Sequence, residues 1–67
     1  MWFDIGDGER IKLNKVSEFA FEIVDWQGIK FNGKELPCNQ DNADMLMENP
    51  IFYKIVDSCA STLFHPH

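Results

Sequence analysis

The sequence predicts a small single domain of the α+β class, with an N-terminal β-hairpin, a short central β-hairpin and two to three helices, the last of them amphipathic. Three observations lead to this fold class. Short segments of alternating apolar and polar residues flank glycine-containing turns in the first half of the chain. Two asparagine-led segments with helical spacing fill the second half. A length of 67 residues allows one domain only, covering 1–67.

Both predicted hairpins are defined by their turns. Residues 2–5 and 10–13 alternate apolar with polar side chains on either side of a Gly-Asp-Gly-Glu turn, which predicts the N-terminal hairpin. The central hairpin is centred on Asn32-Gly33, because this pair tolerates the positive φ angles of a type I′ turn. Pro37 then ends the strand pairing, since proline lacks the N–H that a ladder requires.

Residues 15–26 fit two different structures. Their apolar residues recur with helical spacing, yet Phe19, Phe21 and Ile23 also alternate as they would in a strand. Ser17, with glutamates soon after it, is typical of the first turn of a helix. The sequence leaves both structures open, and we predict the helix.

Two asparagines indicate helix starts. Asn39 is the predicted N-cap of a helix over 40–48, and Asn49-Pro50 combines a preferred capping residue with proline at the first helical position. The second helix is expected to pack on the first and on Trp26, and residues 64–67 are predicted to form a frayed tail. The apolar stripe of the second helix comprises Ile51, Phe52, Ile55, Val56, Cys59 and Leu63.

The formal charge of −5 limits the kinds of partner. A negative surface opposes attraction to a phosphate backbone or to an anionic membrane. No apolar run approaches the roughly 18 residues of a membrane helix, and the N-terminus lacks the basic start of a signal peptide. A chain this short also buries only about 60% of the surface that its unfolded form exposes. We therefore expect a cytosolic protein that binds another protein or associates into a homo-oligomer, and binds neither nucleic acid nor membrane.

Catalytic and ligand-binding chemistry has few candidates. Cys38 or Cys59 would need His65 or His67 as a base, but both histidines lie in the predicted tail and Cys59 lies on the apolar stripe. A zinc site requires paired ligands at two places in the chain, and a phosphate site requires a glycine-rich loop that leads into a helix. We predict no catalytic residue, no metal and no cofactor, and both cysteines as free thiols.

Three segments of the middle of the chain form a recognisable pattern: 25–29 (Asp-Trp-Gln-Gly-Ile), 32–38 (Asn-Gly-Lys-Glu-Leu-Pro-Cys) and 42–46 (Asn-Ala-Asp-Met-Leu). Over residues 26–57 the chain resembles bacteriophage tail assembly chaperones. In that family a helix ends in Trp-x-Gly, a glycine-centred turn leads to an aliphatic-Pro pair, and a Leu-rich helix and an amphipathic helix follow.

This resemblance implies a non-enzymatic phage protein in the cytoplasm of the bacterial host. Its partner would be the tape measure protein or the tail-tube protein, whose exposed apolar segments it would cover during assembly. The residues expected to form the core and its exposed rim at the partner-binding surface are Trp26, Met45, Met47, Phe52 and Tyr53.

A small acidic phage inhibitor of a host defence or DNA-handling protein is the alternative function. Such inhibitors place carboxylates on one face, where they imitate the spacing of phosphates. The eleven acids of this chain are spread along it and interrupted by lysines. We therefore place the assembly chaperone first, the inhibitor second and an enzyme last.

Overall fold

The computed structural model describes residues 1–65 as five strands followed by two helices. The predicted α+β class is confirmed, with two helices among the described residues. Of the predicted tail, Phe64 is the last residue of the second helix, and residues 66–67 lie outside the described part. The elements are β1 (Trp2–Gly6), β2 (Glu9–Ser17), β3 (Ala20–Gln27), β4 (Lys30–Phe31), β5 (Lys34–Glu35), α1 (Gln40–Met47) and α2 (Pro50–Phe64).

The first three strands form an antiparallel sheet in the order β1-β2-β3. The predicted N-terminal hairpin is confirmed as β1 and β2, with Phe3 opposite Ile11. Ile11 and Leu13 are fully buried on the side of the sheet that carries the helices. Lys12, between them, points to the opposite face, because successive side chains of a strand alternate.

The predicted helix over 15–26 is wrong, because these residues form the end of β2, a turn and β3. β3 pairs with β2 along its whole length and places Trp26 opposite Ile11, so both large side chains enter one core. Aromatic and β-branched residues favour such a pleated, half-buried surface. Ser17 has a local role in the turn instead of capping a helix, since its hydroxyl oxygen accepts a hydrogen bond from the Phe19 N–H at 3.3 Å.

The central hairpin is confirmed as β4 and β5. Asn32 and Gly33 both have positive φ, 54° and 79°, as a type I′ turn requires. The Leu36 N–H donates to the Ile29 carbonyl at 2.8 Å and closes the hairpin behind the turn.

Both predicted helix starts are confirmed. The Asn39 side chain accepts a hydrogen bond from the Asn42 N–H at 2.8 Å, and the Asn49 side chain accepts one from the Ile51 N–H at 2.9 Å. Each asparagine therefore satisfies a backbone donor that has no partner within the helix. α1 ends at Met47, one residue earlier than predicted.

The core lies between the sheet and α2. Trp26 is its largest member, as predicted, and its indole N–H donates to the Leu36 carbonyl at 2.7 Å. The predicted stripe of α2 needs one correction: Ile51 is 73% exposed, whereas its neighbour Phe52 packs against the core and Val56 and Ala60 pack deepest. The buried residues are Ile11, Leu13, Trp26, Ile29, Val56 and Ala60.

Candidate protein-binding site

A groove of about 290 Å³ lies between β3 and α1. We call it the β3–α1 groove. Its half-buried members are apolar and form the base, while its exposed members are polar and form the rim. The lining residues are Phe21, Glu22, Ile23, Gln40, Ala43, Asp44 and Met47.

The two elements present these side chains because of their periodicity. On β3, Phe21 and Ile23 are two residues apart and share the helix-facing side of the sheet. On α1, the four groove residues follow the spacing i, i+3, i+4 and i+7 from Gln40 to Met47, and so lie on one face of the helix. The N-cap at Asn39 fixes where that helix begins and thereby which face meets β3.

The rim of the β3–α1 groove carries one carboxylate, that of Asp44, because Glu22 lies between Phe21 and Ile23 on β3 and points its carboxylate to the open face of the sheet. Asn14 donates its amide hydrogen to Glu22 Oε1 at 3.2 Å, and Gln40 donates to Asp44 Oδ1 at 2.8 Å. The groove lining contains no basic residue. Lys15, the strand partner of Phe21, holds its ammonium 5.6 Å from the centre of the Phe64 ring. The groove therefore suits a lysine or arginine of a partner, whose aliphatic stem would lie on the apolar base and whose charge would face the Asp44 carboxylate.

A second groove, of about 380 Å³, separates β1 from α2. We call it the β1–α2 groove. Its one carboxylate, Asp4, lies 3.7 Å from the Arg10 guanidinium. It therefore presents apolar surface and no convergent set of titratable groups. Its lining residues are Phe3, Asp4, Ile5, Ile55, Ser58, Cys59 and Thr62.

Two exposed apolar side chains lie at one end of the sheet: Phe19, in the turn between β2 and β3, is 94% exposed, and Val16, near the end of β2, is 60% exposed. The interpretation of 15–26 as a helix placed both residues on a buried stripe and so missed them as surface residues. The alternation of Phe19, Phe21 and Ile23 was the available signal for a strand pair, although it does not show that a turn exposes Phe19. Exposed aromatics of this kind are frequent anchors at protein interfaces.

The structure separates the five residues predicted for partner binding. Trp26 is only 4% exposed and belongs to the core. Phe52 is half-buried against that core, and Met47 lines the β3–α1 groove. Met45 and Tyr53 are exposed, at 39% and 52%. Met47 is thus the one residue of the five that a described groove includes.

The two cysteines are free thiols, as predicted. Partial desolvation, and then the Asp25 carboxylate, raise the pKa of Cys38, whose thiol lies 3.8 Å from the Val24 carbonyl oxygen. Burial raises the pKa of Cys59. Since the thiolate is the nucleophilic form, neither site activates its sulfur.

Cys38 is therefore expected to react with iodoacetamide more slowly at pH 7.5 than cysteine in an unfolded peptide does. The rate should climb as the pH rises, because the thiol ionises only at higher pH. Mass spectrometry over a pH series measures this, and Cys38→Ser removes the faster of the two modifications, because Cys59 is less exposed. Alkylation of Cys38 that is faster than that of the peptide would contradict the raised pKa.

Within residues 1–65, no group of three or more His, Cys, Asp or Glu side chains is placed to hold a metal ion. His65 is exposed at the end of α2, and His67 lies outside the described residues. Within the same residues, neither helix combines the length and the apolar character that a membrane span needs.

Comparison with known proteins finds no matching family model, no matching curated protein and no matching solved structure.

Proposed function

We propose that this chain is a non-enzymatic protein-binding module whose β3–α1 groove receives a segment of a partner protein. The observation that supports this is the composition of the groove: an apolar base with the Asp44 carboxylate on its rim and no basic residue in its lining. Such a groove favours a partner segment in which a lysine or arginine accompanies apolar residues.

We propose further that the partner is a phage tail component, the tape measure or tail-tube protein, and that the chain acts as its assembly chaperone. The resemblance between 26 and 57 supports this role. The two consecutive helices after the Pro37 segment agree with the family pattern. The Trp-x-Gly segment at Trp26 differs from the family pattern, because here it ends a strand, β3, whereas in the family it ends a helix. The proposed chaperone therefore has a sheet in place of the family's first helical region.

An affinity pull-down from infected cells tests both levels of the proposal. The chain serves as bait, and mass spectrometry identifies the proteins that it retains. Recovery of the tape measure or tail-tube protein is the expected result. Recovery of a host nuclease, polymerase or defence protein instead would contradict the chaperone role and favour the inhibitor.

A charge-neutralised groove is expected to bind the partner less tightly. In Asp44→Asn the side chain keeps its hydrogen-bond acceptor for Gln40, but the rim loses its negative charge. We expect about a threefold loss of affinity, corresponding to about 0.6 kcal/mol. Isothermal titration with the recovered partner measures it.

The matched control is Asp57→Asn, which makes the same change in charge at an exposed residue outside both grooves. It should bind as the unchanged protein does. An equal loss in the two variants would show that net charge, and not the β3–α1 groove, governs binding.

One observation favours the inhibitor as a second candidate. α1 and its C-cap carry Asp41, Asp44 and Glu48 and no basic residue, so this part of the surface would attract a basic groove on a host protein. On the open face of the sheet, however, Arg10 and Lys12 lie among the acids, unlike the single acidic face of a nucleic-acid mimic. The pull-down separates the two functions.

A further inference from the structure

Strand β1 is an edge of the three-stranded sheet, and no other described strand pairs with its outer side. Met1 and Leu13 exchange both backbone hydrogen bonds, at 2.9 and 3.0 Å. Bonded and non-bonded pairs alternate along an antiparallel ladder. The backbone groups of Phe3 therefore point to β2, whereas those of Trp2 and Asp4 point away from the sheet. The edge presents two N–H donors and two carbonyl acceptors in a row.

We propose that β1 pairs antiparallel with β1 of a second copy of this chain, with the twofold axis at Phe3. The two sheets then form one continuous sheet. In this register Trp2 lies opposite Asp4 of the second copy, and the reverse pair follows from the symmetry. Both are hydrogen-bonded pairs, so the interface satisfies all the outward backbone groups of Trp2 and Asp4.

The helix-facing side of this interface is apolar. The two Phe3 side chains meet at the axis, and Met1, which is 60% exposed in the single chain, comes opposite Ile5. Phe3 and Ile5 also line the β1–α2 groove, which opens beside this edge. Pairing of the edges therefore covers apolar surface on the side where the groove lies.

The spacing of the two α2 helices leaves room for these side chains. α2 packs on β2, and two β2 strands would be three strand spacings apart, about 14 Å. Packed helices usually approach to about 8–10 Å. The wider gap accommodates the Phe3 pair.

The opposite side of the interface is complementary in charge. Arg10 Cζ lies 4.7 Å from the centre of the Trp2 ring, and Lys12 Nζ lies 6.0 Å from it. The side chain of Asp4 is 87% exposed. Opposite Trp2, the Asp4 carboxylate of the second copy would come beside these two cations, within the reach of neighbouring cross-strand side chains.

The neighbouring registers are less favourable. An axis at Asp4 places two carboxylates directly opposite each other, which is destabilising in a cross-strand pair. An axis at Trp2 keeps only one hydrogen-bonded pair between the β1 segments. The charges, and the alternation of inward and outward backbone groups along β1, thus place the twofold axis at Phe3.

The proposal is tested by measuring mass in solution. Light scattering coupled to gel filtration should give twice the chain mass of 7.8 kDa at high concentration. Asp4→Pro removes an outward N–H while leaving the bonds between β1 and β2 intact, because proline is tolerated on an edge strand at such a position. We expect this variant to be a monomer with an unchanged circular dichroism spectrum. Asp4→Asn keeps the N–H and should retain the dimer.

The register is tested by cross-linking in a Cys38→Ser/Cys59→Ser background. Phe3→Cys places two thiols opposite each other in a non-hydrogen-bonded pair with Cα atoms about 4.5 Å apart, within the range of a disulfide. Mild oxidation should give a covalent dimer. Ile5→Cys lies opposite Met1 and should not cross-link to itself.

Three results would overturn the proposal: a monomer at concentrations up to about 1 mM, a dimer that persists in Asp4→Pro, or cross-linking of Ile5→Cys in preference to Phe3→Cys. The dimer is independent of partner binding in the β3–α1 groove, because β1 and β3 are opposite edges of the sheet. Failure of either proposal leaves the other intact.

Discussion

Trp26→Ala is expected to remove a large part of the free energy of unfolding. Truncating a buried tryptophan costs about 3–5 kcal/mol through lost burial and a residual cavity. The Leu36 carbonyl also loses the indole N–H that it accepts at 2.7 Å. A chain of this length has a total stability of about 3–10 kcal/mol. The loss therefore removes a large part of the free energy of unfolding, and far-UV circular dichroism with urea denaturation should show it directly.

Two further variants serve as comparisons: one isolates the lost hydrogen bond, and the other removes an exposed aromatic ring. Trp26→Phe keeps most of the apolar volume but leaves the Leu36 carbonyl without its donor, which should cost about 1–3 kcal/mol. Phe19→Ala removes an aromatic ring that is 94% exposed, and should change stability by less than about 0.5 kcal/mol. If Phe19→Ala were as destabilising as Trp26→Ala, the strand and turn assignment of 15–26 would be wrong, because only a helix buries Phe19 on its apolar stripe.

Local signals in the sequence predicted the parts of the fold in which a residue type has one backbone preference. Asn32-Gly33 specified its turn because both positions need positive φ. Asn39 and Asn49 specified helix starts because their side chains replace missing backbone partners. These effects act within four residues, so the rest of the fold is not needed to recognise them.

Residues 15–26 could not be assigned in the same way, because their apolar pattern satisfies both periodicities. Strand pairing decides the outcome: Trp26 reaches Ile11 only when β3 lies beside β2. The β3–α1 groove was missed for the same reason, since Phe21 and Ile23 face α1 only once β3 exists as a strand. Met47 was predicted as a partner-binding residue, but the apolar base around it depends on this long-range pairing.

Gly28→Ala is expected to be the most destabilising of the substitutions at the three glycines with positive φ. Gly28 has φ +77°, a conformation that costs a non-glycine residue about 1–2 kcal/mol. A Cβ at this position would also collide with the backbone carbonyl oxygen of Gly8. Backbone cannot rotate away as a side chain can, so the turn between β1 and β2 must move. Overpacking of this kind adds about 1–3 kcal/mol.

Gly33→Ala and Gly8→Ala are the matched controls, because these glycines have nearly the same φ, +79° and +76°, and nothing within 4 Å of the added Cβ. In each control the free energy of unfolding should fall by only about 1–2 kcal/mol, the cost of a positive φ for alanine. The difference between Gly28→Ala and the mean of the two controls, measured by urea denaturation, isolates the contact between Gly28 and the Gly8 carbonyl. Equal losses at all three positions would mean that the end of β3 does not lie against the β1–β2 turn. A larger loss at Gly28 would show that the end of β3 lies so close to the β1–β2 turn that only glycine fits there.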